Sequence, residues 1–455
     1  MRGQNCVRNR KRRIRSCVPI ITLALVLSFV PSVLQGQMTV RGMGMGGAYT
    51  ALARGVHAQA YNPANLGLPD NSKFSFTFLS VEAGVWNNSF TKGMYDQYLT
   101  DESDTYWDEN DIDDILSHVP DNGFDINVGA YVRTLSFSVG QFAFSIGANA
   151  GAFIQLDKSF FEFPLTGNEL GQTYRFDNID GQALGVGMVS FSLGMPFQVP
   201  YVDAFAAGAT VHLLYGGVYG TVDKADLTFT TAEYGFDIDS EYSGTYALPV
   251  DGDGNVQTKI GWGLDLGVAA QLKEKWTISL GLANSIGSVP WSHVEGYEGY
   301  ARADSLSVIE SEDIDDVFAD SSWTVEREAL STKLPMILRL GCAYQEGNVL
   351  LTADYCQGLE KGAWIGTKPQ FSFGTEWKGV PWLPLRMGVV LGGRIGFGTS
   401  FGFGIRPGGF VLDVGFLNRG FITPKNSKGL IVGFELGIDI TRKRTDVVRV
   451  GDFKK

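Results

Sequence analysis

Residues that could perform acid–base or metal chemistry are scattered in this sequence. Acidic residues such as Asp320 and Glu326 have no base nearby, and the Gly-x-Ser-x-Gly elbow of serine hydrolases is absent. The histidines lack the short spacings that bring two metal ligands together. We therefore expect no enzyme, no catalytic residue, no metal site and no cofactor. The histidines are His57, His118, His212 and His293.

Two motifs imitate ligand-binding loops. Gly42-x-Gly44-x-x-Gly47 has the spacing of a dinucleotide-binding turn, but no parallel βαβ unit surrounds it. The run Asp-Gly-Asp-Gly-Asn at 251–255 imitates the start of a calcium loop. Val256 stands where such a loop needs glycine, and no helix flanks it. We interpret this run as a charged, soluble loop, with a calcium site as the less favoured alternative.

Several charged residues fall on the polar face of alternating segments. Arg339 and Asp354 are symmetric about one predicted turn, and Glu376 and Arg386 about the next, so each pair is expected to face each other across neighbouring strands. In the wall of a membrane barrel, an arginine or lysine that faces lipid would cost about 2–4 kcal/mol at the bilayer midplane. In such a wall these side chains are therefore expected to point into the barrel. Two interpretations remain open: a structural network that rigidifies the interior, which we favour, and a polar lining that meets a ligand's head group. The two-residue alternation of side chains along a strand places five further residues on the same polar face: Asp265, Asp413, Glu435, Asp439 and His212.

These side chains need strands to position them, and residues 428–440 show which kind. Every second residue from Leu430 to Ile440 is large and apolar, whereas the residues between them are mostly glycine or acidic. Similar alternation recurs about fourteen times without a sustained helical period. Large residues toward lipid and small or polar ones toward a wet lumen are typical of membrane barrels. We predict an all-β fold, a closed antiparallel transmembrane β-barrel of about fourteen strands with an N-terminal hatch.

The connections between the predicted strands alternate in length. Counted along the chain, the even-numbered connections are short and the odd-numbered ones are mostly long. In membrane barrels the short connections face the periplasm and the long ones face the outside of the cell. In the acidic connections 101–114 and 310–320, apolar residues recur at near-helical spacing, so we expect short amphipathic helices there. The predicted strands are 73–84, 124–138, 142–155, 181–195, 202–217, 256–271, 275–284, 332–345, 348–357, 368–378, 382–394, 398–406, 409–418 and 428–441.

The N-terminal residues have the composition of a secretory signal peptide. Seven arginines and lysines between Arg2 and Arg15 precede the apolar run Val18–Val30, which small residues follow. That run is shorter than the roughly 20 residues of a membrane-spanning helix. We assign 1–37 to the signal peptide.

The remaining chain divides into three parts. We assign residues 38–72 to an N-terminal hatch, 73–441 to the barrel and 442–455 to a basic periplasmic tail. Within the hatch, Ala48–Ala60 is expected to form a short helix that ends at the Asn62-Pro63 turn.

The charge of the chain bears on what it can bind. The full chain has a net charge of −12, and removal of the basic signal peptide makes it more acidic, so nucleic acid is not an expected partner.

Cys6 and Cys17 leave with the signal peptide. Cys342 and Cys356 fall on neighbouring strands, with Cys342 expected opposite Leu351 and therefore on the other side of the sheet from Cys356. We predict two free thiols.

The hatch segment carries a resemblance to a known superfamily. Gly46-Gly47-Ala48, followed by Asn62-Pro63-Ala64-Asn65, resembles the N-terminal plug of FadL-type outer-membrane channels for long-chain fatty acids. PorV-type secretion subunits share this feature. The chain looks most similar to an uncharacterised set of bacterial outer-membrane barrels in that superfamily. The stretches that match this set are 121–124, 167–171, 333–335 and 382–386.

The resemblance implies three alternative functions. The leading one is passive transport or binding of a hydrophobic small molecule in the bacterial outer membrane, with movement of the hatch around Asn62–Asn65 opening the path. The second is a PorV-like barrel that receives secreted protein partners, which predicts a narrow, plugged lumen. The third is a structural surface barrel. Outer-membrane lipid surrounds the barrel in all three.

Overall fold

A computed structural model describes residues 38–100, 107–167, 169–233, 235–250, 256, 259–306, 318–363 and 365–440. The predicted signal peptide, the calcium-like run and the basic tail lie outside these residues. The described strands are β1 (Phe74–Asn87), β2 (Phe124–Val139), β3 (Phe142–Leu156), β4 (Thr173–Phe176), β5 (Asp180–Phe197), β6 (Ala204–Ala232), β7 (Gly235–Ala247), β8 (Ile260–Leu272), β9 (Trp276–Trp291), β10 (Val294–Leu306), β11 (Phe318–Arg327), β12 (Leu330–Thr332), β13 (Ile337–Glu346), β14 (Val349–Gly358), β15 (Gln370–Trp377), β16 (Leu385–Gly392), β17 (Gly396–Ile405), β18 (Phe410–Arg419) and β19 (Gly429–Ile440).

Fourteen of these strands close into one antiparallel barrel. Their order around the ring is β1, β2, β3, β5, β6, β8, β9 and then β13 to β19. Phe74 of β1 pairs with Val139 of β2 on one side and with Ile440 of β19 on the other. Because the last strand pairs with the first, the ring has no unpaired edge. The predicted closed barrel of about fourteen strands is confirmed.

The two ends of the barrel differ in their connections. Two residues join β2 to β3 and two join β13 to β14, whereas 36 residues separate β1 from β2. We call the end with the short turns the inner end and the opposite end the outer end. Within the described residues, no helix is long and apolar enough to cross a membrane.

The barrel wall separates two kinds of side chain. On β19, Leu430 is 46% exposed and Phe434 40% exposed on the outside, whereas Ile431 and Glu435 are 2% exposed on the inside. The outside is therefore apolar and open, and the inside is packed. The predicted alternation of faces on this strand is confirmed.

Two bulges reverse the alternation on β1 and β2. The register against β19 shifts between Thr77 and Leu79, and the register of β2 against β3 shifts between Thr134 and Phe137. Leu135 at the second bulge has a positive φ of 44°. A bulge adds one residue to a strand. The inward-pointing polar residues therefore have odd numbers on one side of the bulge and even numbers on the other.

Three connections that we predicted to be loops contain strands, so the prediction was wrong there. Strand β6 continues to Ala232, well past the predicted end at 217, and pairs there with β4 and β7. Strand β10 pairs with β7 and β11, so these strands extend the wall beyond the outer end. We call β4, the outer half of β6, β7, β10 and β11 the outer sheet. Its strands carry polar residues on both faces. They therefore lack the alternation of apolar and polar residues on which the strand prediction relied.

Short helices lie inside the barrel and over its outer end. The helix predicted in the first acidic loop is present as α4, where Ile115 packs with Met94 and Tyr98 of α3. Burial and a hydrogen bond to Asp114 raise the pKa of Tyr98 to about 12. The second predicted helix is wrong for Phe318–Asp320, which begin β11; its other residues, 310–317, lie outside the described ones. The helices are α1 (Val40–Met43), α2 (Ala58–Tyr61), α3 (Lys92–Tyr98), α4 (Glu109–His118) and α5 (Ser159–Thr166), with 3-10 turns at Gly55–His57, Pro63–Gly67 and Pro424–Asn426.

One predicted strand register is wrong by two residues. Arg339 pairs with Cys356, and Asp354 pairs with Gly341, because the turn consists of Gly347 and Asn348. A two-residue shift keeps every side chain on its predicted face. Cys342 lies opposite Ala353 rather than Leu351, on the other face from Cys356, and both thiols are free.

Candidate functional site

The N-terminal segment 38–72 lies inside the barrel. It begins beside Trp86 and Ile395 and ends near the inner end, where the Asn71 side chain donates to the Gly140 carbonyl in the β2–β3 turn. Thr39 caps α1 by accepting a hydrogen bond from the Gly42 amide. Helical structure in 48–60 is shorter than predicted, because only the turn at Gly55–His57 and the start of α2 are helical. Nearly all of the segment is buried.

The Asn-Pro-Ala-Asn motif fastens this segment to the barrel wall. The Asn62 side-chain amide donates to the carbonyls of Val268 on β8, at 2.9 Å, and Leu280 on β9, at 3.2 Å. Asn65 donates to the Thr50 carbonyl and accepts from Ser279 Oγ of β9. Both asparagines thus make hydrogen bonds that their backbone amides could not make, which explains why the motif needs side-chain amides at these two positions.

Rows of inward-facing glycines receive the segment. A Cβ added to Gly267 would overlap Asn62 Oδ1, and one added to Gly208 would overlap the Ala64 amide nitrogen. The missing side chains let the two backbones approach closely. One row of directly paired residues is Gly194, Gly208, Gly267 and Gly281, and a second is Gly402, Gly415 and Gly433.

Asp354 holds the middle of the segment. Its carboxylate accepts from the backbone amides of Tyr49, at 2.9 Å, and Thr50, at 2.7 Å. The Arg339 guanidinium lies over the Tyr61 ring, 5.3 Å from its centroid, and the Tyr61 hydroxyl accepts from the Thr39 amide. Arg339 and Asp354 therefore both contact the segment, although they do not face each other across the strands as predicted.

A buried charge cluster fixes the segment near the inner end. Glu376 accepts from Arg41 of the segment at 2.7 Å and from Arg386 of the neighbouring strand at 2.7 Å. Asp413 bridges Arg386 and Arg406, each at 2.7 Å. Glu376 and Arg386 pair directly across β15 and β16, as the sequence predicts. Charge-assisted bonds of this length are the stronger class of hydrogen bond.

A second polar cluster surrounds His57 of the segment. His57 Nε2 lies 3.1 Å from Glu435 Oε1, and the Arg133 guanidinium lies 3.8 Å from the other Glu435 oxygen. Ser80 donates to the buried carboxylate of Glu82. The adjoining cavity, which Asp439 also lines, has a volume of about 10 Å³, close to the space of one water molecule.

Ser190, His212 and Asp265 form a hydrogen-bonded row across β5, β6 and β8. Ser190 Oγ lies 2.7 Å from His212 Nδ1, and His212 Nε2 lies 2.9 Å from Asp265 Oδ2. The row contains the residue types of a serine hydrolase, but all three are buried and their strand amides are used in the sheet, which leaves none to stabilise an oxyanion. Asp265 also accepts from the amide of Asn284, which has a positive φ beside a bulge. The row therefore cross-links the wall.

The outer half of the lumen is apolar. Side chains of six barrel or outer-sheet strands and two connections meet there in a buried cluster, which we call the outer apolar cluster. Its barrel members lie toward the outer end of their strands. Among its members are Leu184, Val186, Leu214, Val289, Trp291 and Ile337.

A family comparison places this barrel among known sequences. The sequence profile of a family described as a family of unknown function, DUF5723, matches residues 63–415, more than half of the chain. The chain belongs to this family. Membership confirms the predicted kinship with an uncharacterised family. No curated protein matches the chain by sequence.

This DUF5723 barrel is also similar in shape to solved transporters. The toluene transporter TbuX of Ralstonia pickettii is 15% identical with a TM-score of 0.49, and the match covers 90% of this chain and 99% of that one. The toluene transporter TodX of P. putida is 13% identical with a TM-score of 0.49, covering 90% and 100%. A Pseudomonas aeruginosa FadL homologue is 11% identical with a TM-score of 0.45, covering 90% and 99%. With TM-scores below 0.5, these likenesses carry no argument about the function of this chain.

For the contacts between segment 38–72 and the wall of this DUF5723 barrel, sequence reasoning missed the partners on the segment. The wall residues Glu376, Arg386, Asp354 and Glu435 were expected inside, but their partners on the segment, such as Arg41, have no strand parity to reveal them. Glu82 and Arg133 were missed because the bulges reverse their parity. The adjacent apolar residues Phe78-Leu79, which break a strict alternation, are the signal that could have shown the first bulge.

Proposed function

We propose that this chain is a bacterial outer-membrane barrel that binds and passes a hydrophobic small molecule, with segment 38–72 as its closed hatch. The observation that carries the proposal is the outer apolar cluster, a lumen lining that offers an apolar molecule a favourable environment. The apolar outside of the closed wall suits a bilayer, since closure leaves no backbone edge in lipid.

The contacts beneath the cluster support a hatch that moves. The segment is held by hydrogen bonds and ion pairs at Asn62, Asp354 and Glu376, while glycine rows let its backbone lie flat against the wall. Such polar contacts can be exchanged for water when a path opens. Lumen residues Arg339, Asp265, Glu435 and His212 would border that path. In this mechanism the ligand collects among the apolar side chains and passes when the segment shifts around Asn62–Asn65.

Transport can be tested in vesicles. We expect purified full-length protein to give saturable uptake of radiolabelled toluene or oleate, and a variant without residues 38–69 to lose saturation. The control is Asn122→Ala, in an exposed outer connection, which should behave as the wild type. Unchanged saturable uptake in the deletion would remove the hatch from the mechanism, and no uptake by the wild type would remove the transport function.

A PorV-like interaction barrel is the second candidate. The observation that favours it is the plugged interior, since nearly all of segment 38–72 is buried inside the barrel. This function predicts secreted proteins bound to the outer end and no uptake of either probe. Affinity purification from the native membrane, with and without residues 294–327, distinguishes it from transport.

A further inference from the structure

A separate cavity of about 310 Å³ lies on the outer sheet, away from the hatch. Four strands line it, β6, β7, β10 and β11. Its volume is at the lower end of the range for small-molecule pockets, about 300–1,000 Å³. The lining residues that matter for its chemistry are Lys224, Glu241, Glu298, Tyr300, Arg302 and Trp323.

Strand register places these side chains on one face. Glu298 of β10 pairs with Trp323 of β11, and Tyr300 pairs with Glu241 of β7. Counting by twos along β10 leads from Tyr300 back to Val294, which is buried in the outer apolar cluster. The face that carries the cavity therefore continues the inside of the barrel wall and points away from lipid.

Aromatic rings form one side of this cavity. Trp323 is 43% exposed, and its ring packs against Tyr300 at 6.3 Å between centroids. The Arg302 guanidinium covers Tyr300 at 5.3 Å from the ring centroid. Because Trp323 faces the inside, lipid contact does not explain an exposed tryptophan there. Its open ring face offers a stacking surface of the kind that aromatic residues supply at binding sites.

The charged side chains around the rings are paired with one another. Lys224 pairs with Glu241 at 2.7 Å, Arg302 with Asp239 at 3.0 Å, and Arg327 with Glu298 at 3.3 Å. An ionic ligand would have to break one of these pairs. A neutral ligand with hydroxyl groups can instead add hydrogen bonds, since each carboxylate has lone pairs left to accept them.

We propose that this cavity binds a neutral saccharide. A sugar ring has C–H faces that stack on aromatic rings and a rim of hydroxyls that hydrogen-bond to carboxylates and guanidinium groups. The open ring of Trp323 meets the first requirement, and Glu241, Glu298 and Arg302 meet the second. The cavity has the size of a mono- or disaccharide unit. This site is independent of the lumen and of transport through it.

Calorimetric titration of the full-length protein tests the site. The protein is kept in lauryldimethylamine oxide, a detergent without a sugar head group, and titrated with maltoheptaose, cellopentaose, mannopentaose and chitotetraose. We expect at least one to bind, and Trp323→Ala to weaken that binding by about tenfold through the lost stacking. Trp323→Phe should retain most of it. The matched control is Trp382→Ala, which removes another exposed tryptophan, 55% exposed, at the inner end.

Two results would overturn the proposal: no binding of any of the four sugars at about 10 mM, or equal binding by wild type and Trp323→Ala. The barrel's heat-modifiable migration shows that each variant is folded. Free oligosaccharides and the sugar head groups of outer-leaflet lipids share this chemistry. Weaker binding of the free sugar in vesicles that contain lipopolysaccharide would assign the site to lipid head groups, and unchanged binding would assign it to free saccharides.

Discussion

At the scale of single residues, Glu376 is where three positively charged side chains converge. Arg41, Lys378 and Arg386 all lie within ion-pair distance of its carboxylate, which is fully buried. One negative side chain thus connects segment 38–72 to two positions of the wall. A buried ion pair adds modest stability over an apolar alternative, but removing one partner leaves the other charges buried without compensation.

Replacement of Glu376 by glutamine should therefore be severe. We expect Glu376→Gln to lower the free energy of unfolding by about 3–5 kcal/mol, because Arg41 and Arg386 would then be left with the charge of Asp413, which already pairs with Arg406. Urea unfolding in vesicles, followed by tryptophan fluorescence, measures the change.

The control is Glu346→Gln at the inner turn. Glu346 pairs with Lys275 in solvent, so its loss should leave the unfolding midpoint unchanged. Equal midpoints for the two variants would show that the buried cluster does not hold the hatch.

At the scale of elements, the glycine rows explain how a chain segment fits against a sheet. On β8, Gly267 leaves the space that Asn62 Oδ1 occupies. A methyl group there cannot coexist with Asn62 in its position, so Gly267→Ala should expel Asn62 and break its two hydrogen bonds to the wall, at a local cost of about 1–3 kcal/mol. Hydrogen–deuterium exchange of residues 58–67 should become faster.

A second glycine provides the comparison for this experiment. A Cβ at Gly187 of β5 would lie 3.8 Å from its nearest neighbour, Tyr215 Cβ, so Gly187→Ala should leave the exchange unchanged. In the double variant Gly267→Ala/Asn62→Ala the overlap disappears, and the exchange should change less than the sum of the single effects. Unaltered exchange in Gly267→Ala would mean that the segment is not held at this glycine.

The elements that sequence could predict are those whose two faces meet different surroundings. Strand β19 alternates because one side is outside the wall and the other is inside, so its bounds and its direction were predictable. Strands β7 and β10 have polar residues on both faces, and their pairing depends on β6 extending beyond the barrel, which no local pattern reveals. The inward direction of Glu82 was not predicted for a third reason: the bulge in β1 shifts the alternation of faces by one residue.

At the scale of the whole molecule, the interior is sealed in two layers. A barrel of eight strands is filled by its own side chains, and a wider one leaves space. Here fourteen strands enclose that space, and segment 38–72 and the outer apolar cluster fill much of it. Ions would have to cross both layers, so the full-length protein is expected to be electrically silent in a planar bilayer.

Removal of residues 38–72 tests which layer makes the seal. The wall should remain folded, because its ladder of backbone pairs is closed without the segment and the freed charges of Glu376 and Asp354 regain water. We expect steady ion conductance from this variant and none from the full-length chain. Gly267→Ala, with a loosened hatch, should give brief openings. If the deletion variant keeps its strand content by circular dichroism yet stays silent, the outer apolar cluster alone closes the barrel and the hatch serves another purpose.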